Sequence, residues 1–526
     1  MQIKRLCVND HLCLVDFEID FNTINGGSST ILIGENGTGK STMLETILEI
    51  LMSFDSPSIE KNIDYDYTIE YEYAQKNIAI VKMGHSYQIT IDDRVFEGSY
   101  QKIIALFLDN SIFPKRIITF YSGAKNKLLQ KVSKANWQYN KLCRKTIRNF
   151  LKAMNDDSER FLPNFPKRKY NYCDEKLTPI YLTSILCGHE TFEKGYLVEA
   201  CHFDKVEYID MSINVDSVEK IFGRPQFEGD IPTNLYYLTD FIDHRFTDLL
   251  RSGFMYSHDG TSYFEIKHLE ELQIDSISIL EFFEKLSSLF DAQYEVTVSY
   301  DGIPVRCNDM SEGQRQLIKI LGMLGICKTE DCLVLMDEPD AHMNPKWKYE
   351  IEQTIAKSLQ DAVNTQAIIA THDPLVINGV SKEFIRIFTH NKVVMDNEIF
   401  SFTKVITPTE ETEGLGIDGL LQSEYYGLPT ILDSETKKKM DKKHDLLVKK
   451  KDGTITDAEM QTLLELTIDL ENMSFARNIP TDSYYDEYVA AMHKIYSERS
   501  HVTLTAEDIA ERNAKAEEIL RGLLGK

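Results

Sequence analysis

Apolar and polar positions alternate near the start of the chain, over 1–24, and again over 54–110. Alternation of this kind is typical of half-buried strands, so both regions predict antiparallel β-structure. Between them, residues 30–33 (TILI) form a short run of the kind found in strands buried on both faces. A glycine-rich loop follows this run, and residues 42–52 then have helical periodicity.

The second half of the chain has a clearer pattern. Helical and strand-like segments alternate over 311–327, 332–336, 345–361 and 366–370. Such β/α alternation predicts a parallel sheet covered by helices. Residues 124–300 mix helical and strand patterns without a fixed period, and the chain after about 430 is rich in Lys and Glu with helical spacing. We find no heptad run, so a long coiled coil is not expected.

The composition of the chain argues against several classes of protein. The chain has 526 residues, 42% of them hydrophobic and 27% charged, which is ordinary for a globular protein. Its net charge of -25 argues against a protein that coats nucleic acid generally, so any such contact must come from a local patch. The nine scattered cysteines argue against a disulfide framework. With no signal peptide and no long apolar run, we expect a cytoplasmic protein without a membrane partner.

The sequence GENGTGKS at 34–41 fits the pattern GxxxxGK[ST], directly after a strand and before a helix. In that context, backbone N–H groups of the loop wrap phosphates, Lys40 reaches the β- and γ-phosphates, and the Ser41 hydroxyl ligates Mg²⁺. The alternative is a glycine-rich turn without a ligand. The predicted ATP-binding residues of this loop are Gly34, Glu35, Asn36, Gly37, Thr38, Gly39, Lys40, Ser41 and Thr42.

Two acidic residues follow the apolar run 332–336. Ligands bind at the carboxyl edge of open α/β sheets, which places both carboxylates at that edge. We expect Asp337 to hold Mg²⁺ and Glu338 to act as the general base on water. The acid pair alone is a common pattern, and the glycine loop is what favours the functional interpretation.

Two further stretches complete the set. Ser311 lies 26 positions before Asp337, in MSEGQ, where it resembles a helix N-cap; its functional interpretation is that Ser311, with Gly313 and Gln314, reaches a γ-phosphate. His372 follows the apolar strand 366–370 and would also contact the γ-phosphate. A histidine at a strand end is more often a capping or solvated residue, but its place in this order of motifs favours a catalytic role.

Together these motifs resemble those of ABC-type ATPases of the SMC-like and OLD-like branch. MSEGQ resembles the signature motif, with Glu312 where glycine usually stands, and DEPDAHMNP resembles the acid pair and D-loop, with Asn344 where an acid usually falls. The resemblance implies a head-to-tail homodimer in which Ser311 of one subunit faces the nucleotide held by Lys40 of the other. Because of these two departures, the resemblance does not predict how fast ATP is hydrolysed, whereas nucleotide binding is still expected.

The 270 positions from Ser41 to Ser311 are too few and too irregular for a long coiled-coil arm. The length of the chain, YSG at 121–123 and the helical tail are more similar to PtuA-type ATPases of Septu and retron anti-phage systems. That resemblance implies control of a separate HNH nuclease (PtuB), and in some members association with a reverse transcriptase and its multicopy single-stranded DNA.

The expected fold is therefore α/β: an ABC-type ATPase head with a mixed sheet and an antiparallel N-terminal subdomain, an α+β insertion and a helical C-terminal region. We divide the chain into four parts. These are 1–55 (head with glycine loop), 56–300 (rest of the N-lobe and insertion), 301–425 (signature, acid pair and histidine) and 426–526 (helical, partner-binding).

Residues 111–152 contain eleven Lys and Arg and no acidic residue. With interleaved aromatics, such a strip suits phosphate tracking and base stacking, although it could equally dock on acidic surface of the same protein. The nucleic-acid or partner candidates are Lys125, Lys127, Lys131, Lys134, Lys141, Arg144, Lys145 and Arg148. A second basic run at 437–443 is more typical of a solvated helix face.

Two rival functions stay open. One is a DNA-repair ATPase of the OLD-like branch that acts on DNA directly through 111–152. The other is an ABC-headed toxin whose C-terminal region carries the effector, although His444, Arg477, His493, Glu498 and Arg499 cannot be assembled into a spaced catalytic set. We identify no nuclease site in this chain, so the predicted enzyme activity is Mg²⁺-dependent ATP hydrolysis.

Overall fold

The computed structural model describes residues 1–21, 29–55, 57–110, 112–122, 127–155, 168–214, 227–228, 231–232, 243–258, 261–328, 331–360, 362, 364–395, 398–471, 511, 514–519 and 521. The chain forms two compact units. The first comprises Met1–Ile377 and Glu383–Ile406, and the second comprises Asn378–Lys382 and Thr407–Lys526.

The strands, numbered in chain order, are β1 (Gln2–Asn9), β2 (Phe17–Asp20), β3 (Ser29–Gly34), β4 (Asp66–Tyr73), β5 (Lys76–Met83), β6 (Ser86–Ile91), β7 (Arg94–Gly98), β8 (Arg116–Tyr121), β9 (Tyr170–Tyr172), β10 (Phe203–Asn214), β11 (Phe227–Glu228), β12 (Ile231–Pro232), β13 (Phe254–His258), β14 (Thr261–Ile266), β15 (Gln293–Tyr300), β16 (Ile303–Arg306), β17 (Cys332–Asp337), β18 (Gln366–Ala370), β19 (Ile385–Met395) and β20 (Glu398–Ile406).

The α-helices, also numbered in chain order, include α1 (Lys40–Ser53), α2 (Pro57–Glu60), α3 (Tyr100–Asn110), α4 (Lys127–Asn155), α5 (Thr178–Cys187), α6 (Phe192–Cys201), α7 (Thr247–Gly253), α8 (Ser276–Phe290), α9 (Glu312–Ile326), α10 (Pro345–Leu359), α11 (Pro374–Ile377), α12 (Gly416–Gln422), α13 (Ser434–Lys451) and α14 (Asp457–Glu471). Within the described parts of 124–300, the mixed pattern thus corresponds to separate helices and strands, beginning with the 29-residue helix α4.

A seven-stranded sheet in the order β20-β19-β3-β18-β17-β8-β9 organises the first unit. All neighbouring strands are parallel except β20, which runs antiparallel to β19. Strands β17 and β18 are buried along their whole length, which explains why their sequences are almost continuously apolar. Asp337 pairs in register with Ala370 and with Tyr121, so β17, β18 and β8 end at the same edge.

A six-stranded antiparallel sheet, in the order β2-β1-β4-β5-β6-β7, faces the other side of helix α1. Strand β4 alternates strictly between buried and half-buried positions, as its sequence DYTIEYEY requires. Met43 and Ile47 of α1 belong to one buried cluster that also contains Ile69 of β4 and Leu335 of β17. Helix α1 is therefore fixed between the two sheets, and this fixes the loop that precedes it.

A five-stranded antiparallel sheet, β13-β14-β10-β15-β16, belongs to the segment between the two halves of the head. Helix α5 packs on helices α8 and α9 and on strands β10 and β15 of this sheet. The mixed sheet, the antiparallel N-terminal sheet and this α+β insertion confirm the predicted α/β fold class.

In the second unit, α13 and α14 pair as a hairpin. Leu446 of α13 and Leu463 of α14 are buried, and Lys439 Nζ lies 2.7 Å from Asp469 Oδ2. The lysine-rich run of α13 thus has an acidic neighbouring helix. No helix in the described part of the chain is long and apolar enough to cross a membrane.

Candidate functional site

The glycines of loop 34–41 are required by the backbone. Gly34, Gly37 and Gly39 have φ values of +146°, +86° and +96°, which side chains rarely adopt. A Cβ on Gly34 would also lie 2.3 Å from the carbonyl oxygen of Phe388, and one on Gly39 would lie 2.4 Å from Thr403 Oγ1. The loop is therefore held close to strands β19 and β20, and only glycine fits at those two positions.

One contact that the sequence did not reveal supports this loop directly, and a second holds the residue that makes it. Thr403 of β20 donates its hydroxyl hydrogen bond to the carbonyl oxygen of Thr38 at 2.8 Å. The backbone N–H of Thr403 donates to the carbonyl oxygen of Cys13 at 2.9 Å. Because Thr403 is 365 positions from Thr38, no local pattern could have indicated this support.

Lys40, the first residue of α1, points back into its own loop. Its ammonium group donates to the carbonyl oxygens of Gly34 at 2.6 Å and Glu35 at 3.1 Å. Burial lowers the pKa of Lys40, while the nearby carboxylates of Asp337 and Glu338 oppose that shift. The Lys40 ammonium group therefore lies within the glycine loop, at the N-terminus of α1. This ammonium group and the backbone N–H groups of the loop can together bind an anion.

Asp337 ends β17 with only 2% of its surface exposed. Burial raises the pKa of Asp337 to about 6, and Glu338 adds to the rise, whereas a hydrogen bond from Ser41 and the charge of Lys40 lower it. The structure thus brings the predicted pair Ser41 and Asp337 together. A hydroxyl and a carboxylate are hard oxygen donors of the type that Mg²⁺ prefers.

Glu338 has a left-handed backbone, with φ of +52°. Its N–H donates to the carbonyl oxygen of Ala370 at 2.8 Å, and the Ser122 hydroxyl donates to its carbonyl oxygen at 2.7 Å. His372 Nδ1 lies 2.9 Å from Glu338 Oε1. The predicted acid and histidine are therefore neighbours, because β17 and β18 end side by side.

Ser122, the residue that follows strand β8, holds this turn through the Glu338 carbonyl oxygen. Asp340, two residues beyond Glu338, is buried and accepts a hydrogen bond from Thr371 Oγ1 at 2.8 Å. Burial raises the pKa of Asp340, and the Thr371 bond opposes the rise. The positions of Glu338 and His372 are thus fixed on both sides by polar contacts.

The signature stretch forms the N-terminus of helix α9. Ser311 is the N-cap: its hydroxyl accepts from the N–H of Gln314, and the Gln314 side chain accepts from the N–H of Ser311 at 3.0 Å. The cap interpretation is therefore confirmed, while contact with a γ-phosphate stays a prediction. No hydrogen bond among the described residues joins Ser311, Gly313 or Gln314 to the glycine loop of the same chain.

Glu312, the departure from the signature pattern, has a partner. Its Oε2 lies 3.5 Å from Nδ1 of His342, a residue of the D-loop stretch with φ of +62°. A Cβ on Gly313 would lie 2.8 Å from the His342 carbonyl oxygen, and Gln316 donates to the Pro339 carbonyl oxygen at 3.1 Å. These contacts therefore connect helix α9 to the turn that follows Asp337 and Glu338 in the same chain. We call this turn the acid turn.

The basic candidates separate into two groups. Lys131 pairs with Glu49 of α1 at 3.1 Å, and Lys134 donates to Ser58 Oγ at 3.2 Å, so these two dock on the protein itself. Lys141, Arg144, Lys145 and Arg148 are exposed on α4. Lys127 begins α4, and Lys125 lies outside the described residues.

The residues named for a C-terminal effector remain untested. His444 lies on α13, and Arg477, His493, Glu498 and Arg499 fall outside the described residues. Across the described part of the chain, no group of three or more His, Cys, Asp and Glu side chains is arranged to hold a metal ion.

Residues 215–378 match the family described as "AAA domain, putative AbiEii toxin, Type IV TA system". This stretch contains the signature, acid pair and histidine. The chain is 22% identical over 447 residues to the "Retron Vc95 probable ATPase" of Vibrio cholerae serotype O1 biovar El Tor, covering 80% of this chain and 79% of that one.

Two further relatives match shorter stretches. Septu protein PtuA of Bacillus mycoides (strain KBAB4) is 26% identical over 130 residues, which is 23% of this chain and 17% of PtuA. Protein ea59 of Escherichia phage lambda is 32% identical over 154 residues, 29% of this chain and 26% of that one. Among solved structures, an SMC head bound to the C-terminal winged-helix domain of ScpA aligns with 77% of this chain and 98% of that one, at 12% identity and a TM-score of 0.37.

Proposed function

We propose that this chain, an ABC/SMC-like ATPase related to PtuA, hydrolyses ATP to control a separate nuclease in an anti-phage defence complex. The observation that carries the ATPase part is the convergence of Lys40, Ser41, Asp337 and Glu338 at one sheet edge. These groups come from two regions about 300 positions apart in sequence, and the parallel pairing of β3, β18 and β17 brings them together.

The residues present fit ATP and Mg²⁺. Lys40 would exchange its two backbone carbonyl partners for the β- and γ-phosphates, which are stronger acceptors for an ammonium group. The Ser41 hydroxyl and the ionised Asp337 carboxylate would hold Mg²⁺ together with waters. The metal would neutralise charge on the phosphate oxygens and help to orient them.

Glu338 would act on the attacking water. Its carboxylate would accept a proton from that water as the water oxygen bonds to the γ-phosphorus and the bond to the β-bridging oxygen breaks, giving ADP and phosphate. His372, in contact with the Glu338 carboxylate at 2.9 Å, would orient that group and face the γ-phosphate. Ser122 keeps the turn in place by bonding the Glu338 carbonyl oxygen.

A head-to-tail dimer would complete this site. Ser311 and Glu312 are exposed at the start of α9 and make no hydrogen bond to the glycine loop of their own chain. They are therefore available for a nucleotide held by a second copy. The ties from Gln316 to Pro339 and from Glu312 to His342 would transmit a change at one nucleotide to the acid turn beside the other.

The defence role is supported by the relatives. The Vibrio cholerae relative is named as a retron ATPase and the Bacillus mycoides relative as a Septu protein. From the resemblance of the motifs to PtuA-type ATPases, the nuclease would be a separate HNH protein of the PtuB kind, with a reverse transcriptase and multicopy single-stranded DNA as further candidates.

Purification of the tagged chain from its native operon tests this function. We expect a small HNH protein to co-purify, and we expect Lys40→Ala and Glu338→Gln to change nuclease activity in opposite directions, because the first prevents ATP binding and the second traps the ATP-bound state. A chain that purifies alone, as a dimer whose ATP hydrolysis accelerates with DNA, would instead favour the second candidate, an ATPase that acts on DNA directly.

A further inference from the structure

Five residues line one face of the long helix α4. They are spaced by four, three, one and three positions, which places them within an arc of about 100° on a helix. We call this set the basic stripe: Trp137, Lys141, Arg144, Lys145 and Arg148. It runs for about 16 Å along the helix axis, given a rise of roughly 1.5 Å per residue.

The opposite face of α4 is anchored, so the orientation of the stripe is fixed. Val132, Cys143 and Ile147 are buried on that face, at 0–1% exposure. Arg168 donates to Asn136 Oδ1 at 3.2 Å and forms an ion pair with Glu284 of α8. These contacts leave the basic stripe facing away from the core.

Three cations of the stripe have no acidic partner among the residues that the structure describes. Within the part of the chain that the structure describes, no carboxylate lies within 4.0 Å of the side-chain nitrogens of Lys141, Arg144 or Lys145. Helix α4 itself contains no Asp or Glu. Among the described residues, the docking explanation therefore applies to Lys131, which has Glu49 as a partner, and not to these three cations.

The aromatic member of the stripe is also available. Trp137 is 64% exposed, which is unusual for so large an apolar side chain on a polar helix face. Lys141 Nζ lies 5.3 Å from the centre of its ring. An exposed indole beside the exposed cations Lys141, Arg144 and Lys145 presents a stacking surface and phosphate partners at the same place.

We propose that the basic stripe binds single-stranded nucleic acid, with phosphates on Lys141, Arg144 and Lys145 and a base stacked on Trp137. The net charge of -25 repels a polyanion from most of the protein, so a local reversal of charge of this size selects where a strand can approach. A single strand is favoured over a duplex because only unpaired bases offer a face to the indole ring. The proposal is independent of the nucleotide site and of the nuclease partner.

The test measures binding of labelled oligomers of about twenty deoxythymidines or uridines to the full chain by fluorescence anisotropy, without ATP. The variant Lys141→Gln/Arg144→Gln/Lys145→Gln should lower affinity at least tenfold. It should also lower the slope of log affinity against log salt by about 2, since each phosphate contact on a single strand contributes roughly 0.7. Tighter binding of the deoxythymidine oligomer would identify DNA as the ligand, and tighter binding of the uridine oligomer would identify RNA.

A matched variant controls for net charge. Lys438→Gln/Lys442→Gln/Lys450→Gln removes three exposed cations from α13 and should leave the affinity within twofold of the unmodified chain. An equal loss in both triple variants would overturn the proposal, since binding would then follow total charge. Failure of the unmodified chain to bind either oligomer would overturn it as well, and capture of an acidic protein by the stripe instead would assign the surface to another class of partner.

Stacking is tested separately. Trp137→Ala should weaken binding of the single strand about tenfold and of a duplex less than twofold, and Trp137→Phe should restore most of the affinity because it keeps an aromatic face. Equal losses for single strand and duplex, or no rescue by phenylalanine, would contradict a stacking role. Circular dichroism of each variant should show unchanged helix content.

Discussion

The nucleotide edge of the seven-stranded sheet and the basic stripe on α4 are both charged, but they are built in opposite ways. At the edge, Lys40 and Asp337 are 6% and 2% exposed, and Lys40, Asp337 and Glu338 each contact a neighbouring group. On the stripe, Lys141 and Arg144 are exposed and have no acidic partner among the described residues. The buried charges at the nucleotide edge therefore destabilise the folded protein until a ligand binds, whereas the exposed cations of the basic stripe do not.

This difference predicts different responses to mutation. A buried group with a single geometry should give large effects from one substitution, because its neighbours cannot compensate. Exposed cations in a row act mainly through total local charge, so each should contribute a small and roughly additive part. The substitutions that follow test this contrast, from the largest expected effect to the smallest.

Lys40→Ala should greatly weaken ATP binding. The variant removes the only side-chain ammonium that the structure places within the glycine loop in the described part of the chain, and we expect a loss of affinity of about 100-fold or more. Binding of a fluorescent ATP analogue measures this, with Lys442→Ala on α13 as a control that should bind normally. Retention of affinity within fivefold would remove the loop from the site.

Glu338→Gln should keep ATP binding and lose hydrolysis. The amide retains the shape of the side chain but cannot accept the proton of the attacking water, so we expect turnover to fall about 10²–10⁴-fold. Phosphate release and analogue binding, measured on the same preparation, separate the two steps. A variant that hydrolyses ATP at more than a tenth of the normal rate would exclude Glu338 as the base.

Asp337→Asn should stabilise the protein in the absence of ATP. The pKa of Asp337 is raised from its ordinary 3.8 to about 6, so its ionisation opposes folding above about pH 6 and has no effect below pH 3.8. The raised pKa corresponds to about 1–3 kcal/mol of unfolding free energy at pH 7.5. Urea unfolding should show this gain at pH 7.5 and a smaller one at pH 5.

ATP hydrolysis and the stability of the protein should change in opposite directions as the pH falls. Because Mg²⁺ requires the ionised carboxylate, hydrolysis by the unmodified chain should fall as pH decreases through about 6. The stability gain of Asp337→Asn should come with loss of this hydrolysis. A variant that is less stable than the unmodified chain at pH 7.5 would contradict the account of burial at this edge.

The sequence predicted which residues meet at this edge because each part is a short motif at the end of an apolar strand. The glycine spacing of 34–41 and the acids after 332–336 could be assigned without knowing the topology. Thr403 could not, because its contacts with Thr38 and Cys13 depend on β20 lying beside the loop from 365 positions away. Ser122 was missed for the same reason, since its role is visible only once β8 pairs with β17.

The basic stripe was harder to predict from the sequence than the nucleotide edge. The composition of 111–152 revealed its charge, but the helix was hidden within a segment without a clear period. Once α4 is known, the spacing of Lys141, Arg144 and Arg148 and the burial of Cys143 and Ile147 form an amphipathic pattern. Which cations are paired could not be predicted, because Glu49 approaches Lys131 only through tertiary packing.

His342→Ala should weaken ATP-dependent dimerisation moderately. Loss of the imidazole leaves the Glu312 carboxylate free to face the triphosphate of a second copy, and we expect a loss of about three- to tenfold in dimer affinity. Sedimentation with ATP and Glu338→Gln as the background measures it. The double variant with Glu312→Gly should recover the affinity, and a double variant no better than His342→Ala would assign His342 a different role.

Arg144→Gln should have the smallest effect and tests the contrast most directly. A single exposed cation among several should lower affinity for single-stranded nucleic acid only about two- to fivefold and lower the salt slope by roughly 0.7. Because the side chain is exposed and has no acidic partner in the described structure, the melting temperature should change by less than about 1 °C. Lys438→Gln on α13 is the matched control and should change neither quantity. If Arg144→Gln alone eliminated binding, the stripe would behave like the nucleotide edge, as one fixed contact with a defined partner, and the additive description of α4 would be wrong.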